Sequence, residues 1–308
     1  MVNNKVIVFG GSGFVGKHIT KKLVEAGYIV TIPTRNPDNI SHLKLLGDNV
    51  KPVTVDINNY YQVNQLVSQQ NMVVNCIGIL YPTQNNSFSQ IHSKFPLILS
   101  GIIKQYDHIK SYVHLSAIGA DYKSSSQYAQ SKGYGEVAVM ANIKYATILR
   151  PSIIFGREDN FINLFANMAK FSPFLPAIGG GKTKFQPIFV EDVATSVLHC
   201  LTNNKTKGKI YELGGDNIFN FKDILKLAMK VTGVWRPILP IPFIIAHFQG
   251  LVIEKLMTHP LLTRDQVLLL KSDNVVNNDN KGVLTIKDLE IQPMELSEKV
   301  YANYPTNS

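Results

Sequence analysis

Cysteine is scarce in this sequence: Cys76 and Cys200 are the two thiols in a chain of 308 residues, and each sits in an apolar stretch. Two isolated cysteines build no disulfide framework, and their setting reads as buried core. The eight histidines are scattered without metal-ligand spacing, so no metal is expected. Lys/Arg-rich runs are missing, as is basic and aromatic interleaving, which argues against a nucleic-acid partner. No stretch reaches about 18 uninterrupted apolar residues, so no transmembrane helix is expected. The nearest is PILPIPFIIAHFQGLVI, residues 237–253, broken by three prolines, His247, Gln249 and Gly250. It is suited to resting on a membrane or on a protein partner. The first strand candidate opens at Lys5, leaving no room for a leader. The expected location is therefore cytoplasmic, with a peripheral position at the inner membrane face in view.

Charge is modest and unbalanced. Charged residues make up 17%, and 31 Lys plus Arg against 22 Asp plus Glu give a formal +9. An excess of that sign suits an anionic partner: a phosphorylated cofactor, an acidic membrane surface or an acidic protein. The 45% of hydrophobic residues rules out a disordered chain and suffices for a large buried core.

What is present is an alternation. KVIVF at 5–9 is a short apolar run, a glycine cluster follows, and Val15, Ile19, Leu23 and Ala26 recur at helical spacing. Tyr28–Pro33 reads as the next strand. Strand, glycine turn, helix and strand make a βαβ unit, which implies a parallel sheet with a right-handed crossover. Further strands are expected at Val50–Val55, Met72–Ile77, Ser111–Leu115, Tyr145–Leu149 and Lys209–Leu213. Helices are expected over about 128–142 and 221–232, with a helical and irregular remainder from 234. The fold class is α/β, a doubly wound Rossmann parallel sheet with a smaller C-terminal lobe. Residues 1–150 form the dinucleotide-binding core. Residues 151–308 complete the sheet and form a smaller substrate or partner lobe.

Gly10, Gly13 and Gly16 in GGSGFVG stand at GxxGxxG spacing between strand and helix. The first allows the tight turn, the second a close backbone approach to a pyrophosphate, and the third close helix–strand packing. The phosphates then face the helix N-terminus. Gly10, Ser12, Gly13, Phe14, Val15 and Gly16 are the expected phosphate-turn residues. NAD-specific sites usually place an acid at the end of the second strand; here Thr34 and Arg35 stand there. A guanidinium suits a 2′-phosphate, so NADP(H) is expected over NAD(H). Asp56 and Ile57, after the third strand, are the candidate adenine-edge contacts.

Tyr128 and Lys132 form a Y-x-x-x-K pair, which places both on one helix face. An ammonium beside a phenol is expected to lower the phenol's pKa. The phenol can then move a proton while hydride moves at a nicotinamide. Ser116 lies shortly upstream, at a strand end.

With GGSGFVG, HLSAIGAD, YAQSKGYGE, LRPSIIFG and QPIFVEDVA spread over residues 5–200, the chain resembles the extended and atypical short-chain dehydrogenase/reductases, the NAD-dependent epimerase/dehydratase-like enzymes. The resemblance implies a Rossmann sheet, nucleotide binding and a Ser–Tyr–Lys site. Tyr128 and Lys132 match its pattern directly. Ser116 departs from it: Ala117 and Ile118 follow, where the enzymes often carry further Ser or Thr, and Ser124–Ser126 stand close to Tyr128. Leu262-Thr263-Arg264-Asp265-Gln266-Val267 and Asp273-Asn274-Val275-Val276 resemble a narrower branch. That branch contains the NADPH-binding accessory subunit of respiratory complex I and its bacterial relatives, where the nucleotide is structural and no turnover is established.

Three readings stay open, and whether the chain is an enzyme stays open with them. The first is an accessory or assembly factor of respiratory NADH:quinone oxidoreductase, touching complex I subunits and the membrane periphery, with a largely structural NADP(H). The second is an active NADP-dependent reductase, epimerase or dehydratase acting on a nucleotide sugar or a quinone-biosynthesis intermediate. The third is a sensor whose partner affinity depends on the nucleotide. The substrate is not readable from the second lobe, whose polar candidates are Arg157 and Gln186.

Overall fold

Val6 and Val8 turn to one face of the first strand and Ile7 and Phe9 to the other, and none of the four exposes any surface. A strand buried on both faces is what a parallel sheet covered by helices requires. The computed structural model describes residues 4–35, 43, 46–256, 260, 262–277 and 282–297. Its central sheet has eight strands: β1 (Lys5–Phe9), β2 (Ile29–Thr34), β3 (Val50–Thr54), β4 (Met72–Asn75), β5 (Ser111–Leu115), β6 (Thr147–Pro151), β7 (Ile210–Leu213) and β8 (Leu284–Thr285). They pair in the order β8-β7-β6-β5-β4-β1-β2-β3, all parallel. The order reverses between β1 and β4, and ligands of doubly wound sheets bind beyond the strand ends at such a point.

Helices cover both faces. On one side α1 (Phe14–Glu25) and α6 (Val190–Thr202) join the core of Val6, Val8, Val30, Val193 and Val197. On the other, α2 (Tyr60–Val67), α3 (Phe95–Ile103) and α4 (Gln127–Asn142) cover Ile7, Phe9, Val73 and Tyr112. A wider π-helical turn, Ser89–Lys94, leads into α3.

Several strand ends differ from the sequence expectation. β4 stops at Asn75, because the Asn75 side chain accepts the backbone N–H of Ile77 at 3.3 Å and turns the chain. β6 begins at Thr147 rather than Tyr145. There the Ala146 N–H closes a turn on the Ile143 carbonyl, and the Tyr145 hydroxyl donates to Ile109.

A second core, mostly aliphatic, is built around a cluster of phenylalanines. Phe161, Phe165, Phe185 and Phe221 pack with ring centroids 5.2–6.2 Å apart. Around them lie α5 (Ile162–Phe171) and α7 (Phe221–Thr232), which ends where Gly233 takes a left-handed φ of 67°. Short strand pairs complete this lobe, such as Leu175–Ile178 with Ile238–Ile241. Then come α8 (Phe243–Leu256) and α9 (Arg264–Leu269). On α8, Ala246 and Gly250 face inward, while Ile244, Phe248, Val252 and Leu256, four apart, are 86%, 68%, 39% and 79% exposed. Among the described residues no helix is long and apolar enough to cross a membrane.

Candidate functional site

The glycine turn closes tightly on itself. The Gly11 N–H donates to Val8 and the Gly13 N–H to Gly10, and Gly10 adopts a φ of 86° that L side chains rarely take. A Cβ on Gly16 would stand 1.9 Å from the Gly10 carbonyl oxygen, so helix and turn meet at a distance only glycine permits. Gly13 is the N-cap of α1 and supplies no side-chain cap, and the first turn carries no acid. The donors there remain available to an anion. Ser12 and Gly13 are exposed, whereas Phe14 and Val15 pack partly against the second core. The turn rests on the segment after β4, since a Cβ on Gly10 would come within 2.9 Å of the Ile77 nitrogen.

Arg35 is exposed just beyond β2. Asp56 is also exposed. Its carboxylate accepts the backbone and side-chain N–H groups of Asn58, and its own N–H donates to Gln62. Ile57 lines a cleft of about 310 Å³ together with Asn58, Ser87, Gln90, Lys94 and Ile98.

Tyr128 and Lys132 lie on one face of α4, with the ammonium 6.0 Å from the phenol ring centroid. Lys132 is buried and donates to the Leu115 carbonyl at 3.3 Å, directly before Ser116. Burial lowers its pKa to about 8, against the pull of Glu136 and Cys76, which favour the charged form. The expected lowering of the phenol is not met: burial pushes Tyr128 up to about 12. Without the ammonium in direct contact, desolvation of the phenolate dominates. Ser116 is buried at the end of β5, and its hydroxyl has no hydrogen-bond partner among the described residues.

Sequence reasoning missed the aromatic seat beneath Tyr128. Its ring meets Phe88 and His92 edge-on at 5.8 and 5.3 Å. The Ile79 N–H donates to His92 Nε2 at 3.1 Å, so the ring proton sits on Nδ1 and donates to the Ser131 hydroxyl at 3.0 Å. Ser131 in turn donates to the Tyr128 carbonyl. Burial holds His92 neutral, with its pKa down at about 2. Gly78 lies against both groups: a Cβ there would stand 3.6 Å from Lys132 Nζ and 3.8 Å from His92 Nε2. Deeper still, His114 accepts from Asn75 at Nδ1, and its Nε2 has no partner among the described residues.

Beyond the ends of β5 and β6 the chain meets a later segment. Ser152, just after β6, donates to both the carbonyl and the side-chain oxygen of Asn274, whose amide reaches the Ile118 carbonyl at 3.4 Å. Gln186 is tied to Gly215 and Val276, a bridging use of its amide.

This sheet order, glycine turn and Tyr–Lys helix define a dinucleotide-fold protein, and a model of the NAD dependent epimerase/dehydratase family matches residues 6–214. The chain belongs to that family. Within it, the chain is similar to NADH dehydrogenase (ubiquinone) 1 alpha subcomplex subunit 9, mitochondrial, of Arabidopsis thaliana: 32% identical, covering 94% of this chain and 74% of the relative. The protein of the same name from Dictyostelium discoideum is 30% identical, covering 95% of this chain and 82% of the relative. In fold it is similar to dTDP-glucose 4,6-dehydratase from Bacillus anthracis str. Ames, solved in complex with NAD. That match has a TM-score of 0.70 and 18% identity, covering 97% of this chain and 94% of the other.

Proposed function

We propose that this chain is an accessory or assembly factor of a respiratory NADH:quinone oxidoreductase that holds NADP(H) as a largely structural ligand. The observation that carries the reading is the reach of the similarity. Relatives named as subunits of that complex match 94–95% of the chain, second lobe included, not the nucleotide half alone.

The residues fit a dinucleotide. The uncapped start of α1, with Ser12 and Gly13 exposed, takes the pyrophosphate, and the clearance at Gly16 brings the helix close to it. Arg35 favours NADP(H) over NAD(H) by pairing with a 2′-phosphate, which an acid at position 34 would repel. Asp56 and Ile57 border the adenine. Lys132 holds the nicotinamide ribose and Tyr128 packs beside it. When bound, the nicotinamide supplies hydride-transfer chemistry.

A structural rather than a turning-over nucleotide is supported by three features. The Ser116 hydroxyl is buried, the Tyr128 phenol is held protonated, and Asn274 fills the gap between the ends of β5 and β6. Substrates of doubly wound folds enter beyond such strand ends. The exposed stripe on α8 is the surface offered to neighbouring subunits and to the membrane periphery, and it supports a place at the inner membrane face.

The test is native separation of mildly solubilised membranes. Co-migration with NADH:quinone oxidoreductase, and NADP(H) released on denaturing the purified protein, are expected; a free protein carrying no nucleotide would refute the reading. A second reading, an active NADP-dependent reductase or epimerase, draws on the intact Tyr128–Lys132 pair. It requires NADPH oxidation over a carbonyl panel that Tyr128→Phe abolishes.

A further inference from the structure

α4 begins without a carboxylate of its own, yet one is delivered to it from 137 residues away. Asp265, in the first turn of α9, accepts from Gln127 N at 2.7 Å, Tyr128 N at 3.0 Å and the Ser126 hydroxyl at 2.9 Å. The carboxylate thus neutralises the positive end of α4 at the residue that presents the phenol. α9 is itself fixed by a reciprocal cap between Thr263 and Gln266. It sits so close on α8 that a Cβ on Gly250 would approach the Arg264 nitrogen to 3.0 Å, and Glu254 pairs with Arg264 across the same contact.

The clasp is repeated further along the chain. The Asn277 N–H donates to Glu212, which pairs with Arg150, which holds Glu136 in a two-pronged bond one turn beyond Lys132. Asn274 reaches the loop that follows Ser116. One segment, residues 263–277, therefore touches the support of each of Ser116, Tyr128 and Lys132.

We propose that Asp265 is a positioning residue for the dinucleotide site, and that through it the seating of α8 and α9 and the occupancy of that site are linked. The proposal rests on the nucleotide-holding reading above. Linkage is reciprocal: a nucleotide that orders α4 also holds α9 and α8 in place, and whatever docks on α8 tightens the hold on the nucleotide.

The experiment measures NADPH affinity together with amide hydrogen exchange of 126–134 and 243–256, with and without NADPH. It compares wild type, Asp265→Ala, Asp265→Asn and the remote control Asp223→Asn. In wild type and control, NADPH is expected to slow exchange in both segments. Asp265→Ala is expected to weaken NADPH by about tenfold, within the usual span of coupling between sites, and to abolish the slowing at 243–256. Asp265→Asn, which keeps an acceptor, recovers part of both. A purely structural part for Asp265 predicts no nucleotide-dependent slowing of α8 in any protein, and that result overturns the proposal. So does equal affinity and equal slowing in Asp265→Ala. Wild type that binds neither NADPH nor NADH overturns the nucleotide reading itself, and this proposal with it.

Discussion

The ammonium of Lys132 is held between the Leu115 carbonyl, 3.3 Å away, and the face of the Tyr128 ring, 6.0 Å to its centroid. Burying that charge is costly to the nucleotide-free protein, and the pKa drawn down to about 8 records the cost. Lys132→Met is therefore expected to stabilise the nucleotide-free chain by about 1–2 kcal/mol while weakening NADPH at least about tenfold. Tyr128→Phe keeps the ring seated on Phe88 and His92 and is expected to leave both nearly unchanged. Thermal melts paired with NADPH titration of the two variants check this; a Lys132→Met protein that binds as tightly as wild type would count against the assigned site.

Acid sensitivity follows from two neutral imidazoles. His92 and His114 have pKa values lowered by burial from 6.5 to about 2 and about 3. Below pH 6.5 the unfolded chain takes up protons that the native one refuses, so stability falls as pH drops through 6.5 towards those values. From pH 7.5 to 5.5 the two together are expected to remove about 2–3 kcal/mol, near 1.4 kcal/mol per histidine per unit. Lys132 acts at the other end: its native form loses a proton near pH 8 and the unfolded form near 10.5, so stability rises across that interval. Urea midpoints across pH, with His92→Gln flattening the acid limb, provide the measurement.

Gly16→Ala places a methyl 1.9 Å from the Gly10 oxygen. Neither the turn nor the helix can yield without moving the backbone proposed to receive the pyrophosphate. A loss of about 3 kcal/mol is expected, together with loss of nucleotide. Gly27→Ala, whose Cβ would meet nothing within 4 Å, tests a different effect: its φ of 84° makes the change strained but leaves the phosphate turn untouched. NADPH titration separates the two.

Arg35→Ala is expected to weaken NADPH by about tenfold or more, since it removes the proposed charge-assisted contact to the 2′-phosphate, and to leave NADH binding as it was. Equal losses for both nucleotides, or for neither, would overturn the preference for NADP(H).

Phe248→Asp alters a side chain that is 68% exposed. Its melting temperature is expected to stay close to wild type, because surface changes usually fall within about 0.5 kcal/mol. Co-migration with the oxidoreductase is expected to be lost. Retained co-migration would move the docking surface away from α8.

Much of the fold was legible because its signals are local. β1 and α7 stand where the apolar run and the 3.6-residue period put them, and the glycine turn opens α1 as its spacing requires. The Tyr128–Lys132 pair was legible for the same reason: four residues on a helix is a short-range fact. Phe88 and His92 were not, because they reach Tyr128 from another helix about 40 positions upstream, and nothing in QIHSK marks its histidine as a seat for a ring. The part played by Asp265 was equally hidden. In the sequence LTRDQV carries only a resemblance, and its carboxylate serves a second helix that only the tertiary fold brings near. The phenol's raised pKa is a property of depth, which spacing does not report.

At one edge of the sheet, β8 pairs with β7 at Tyr211 and Glu212, and it follows the clasp in the chain. A polypeptide emerging in order from its N-terminus can pair β1 through β6 and close the glycine turn early. It still lacks the carboxylate for α4 until residue 265 has appeared, and the β8 edge until residue 285 has. Contacts of such long sequence separation form late and slowly. On the nucleotide-holding reading proposed above, full capture waits for residues 265–285, long after the glycine turn has closed.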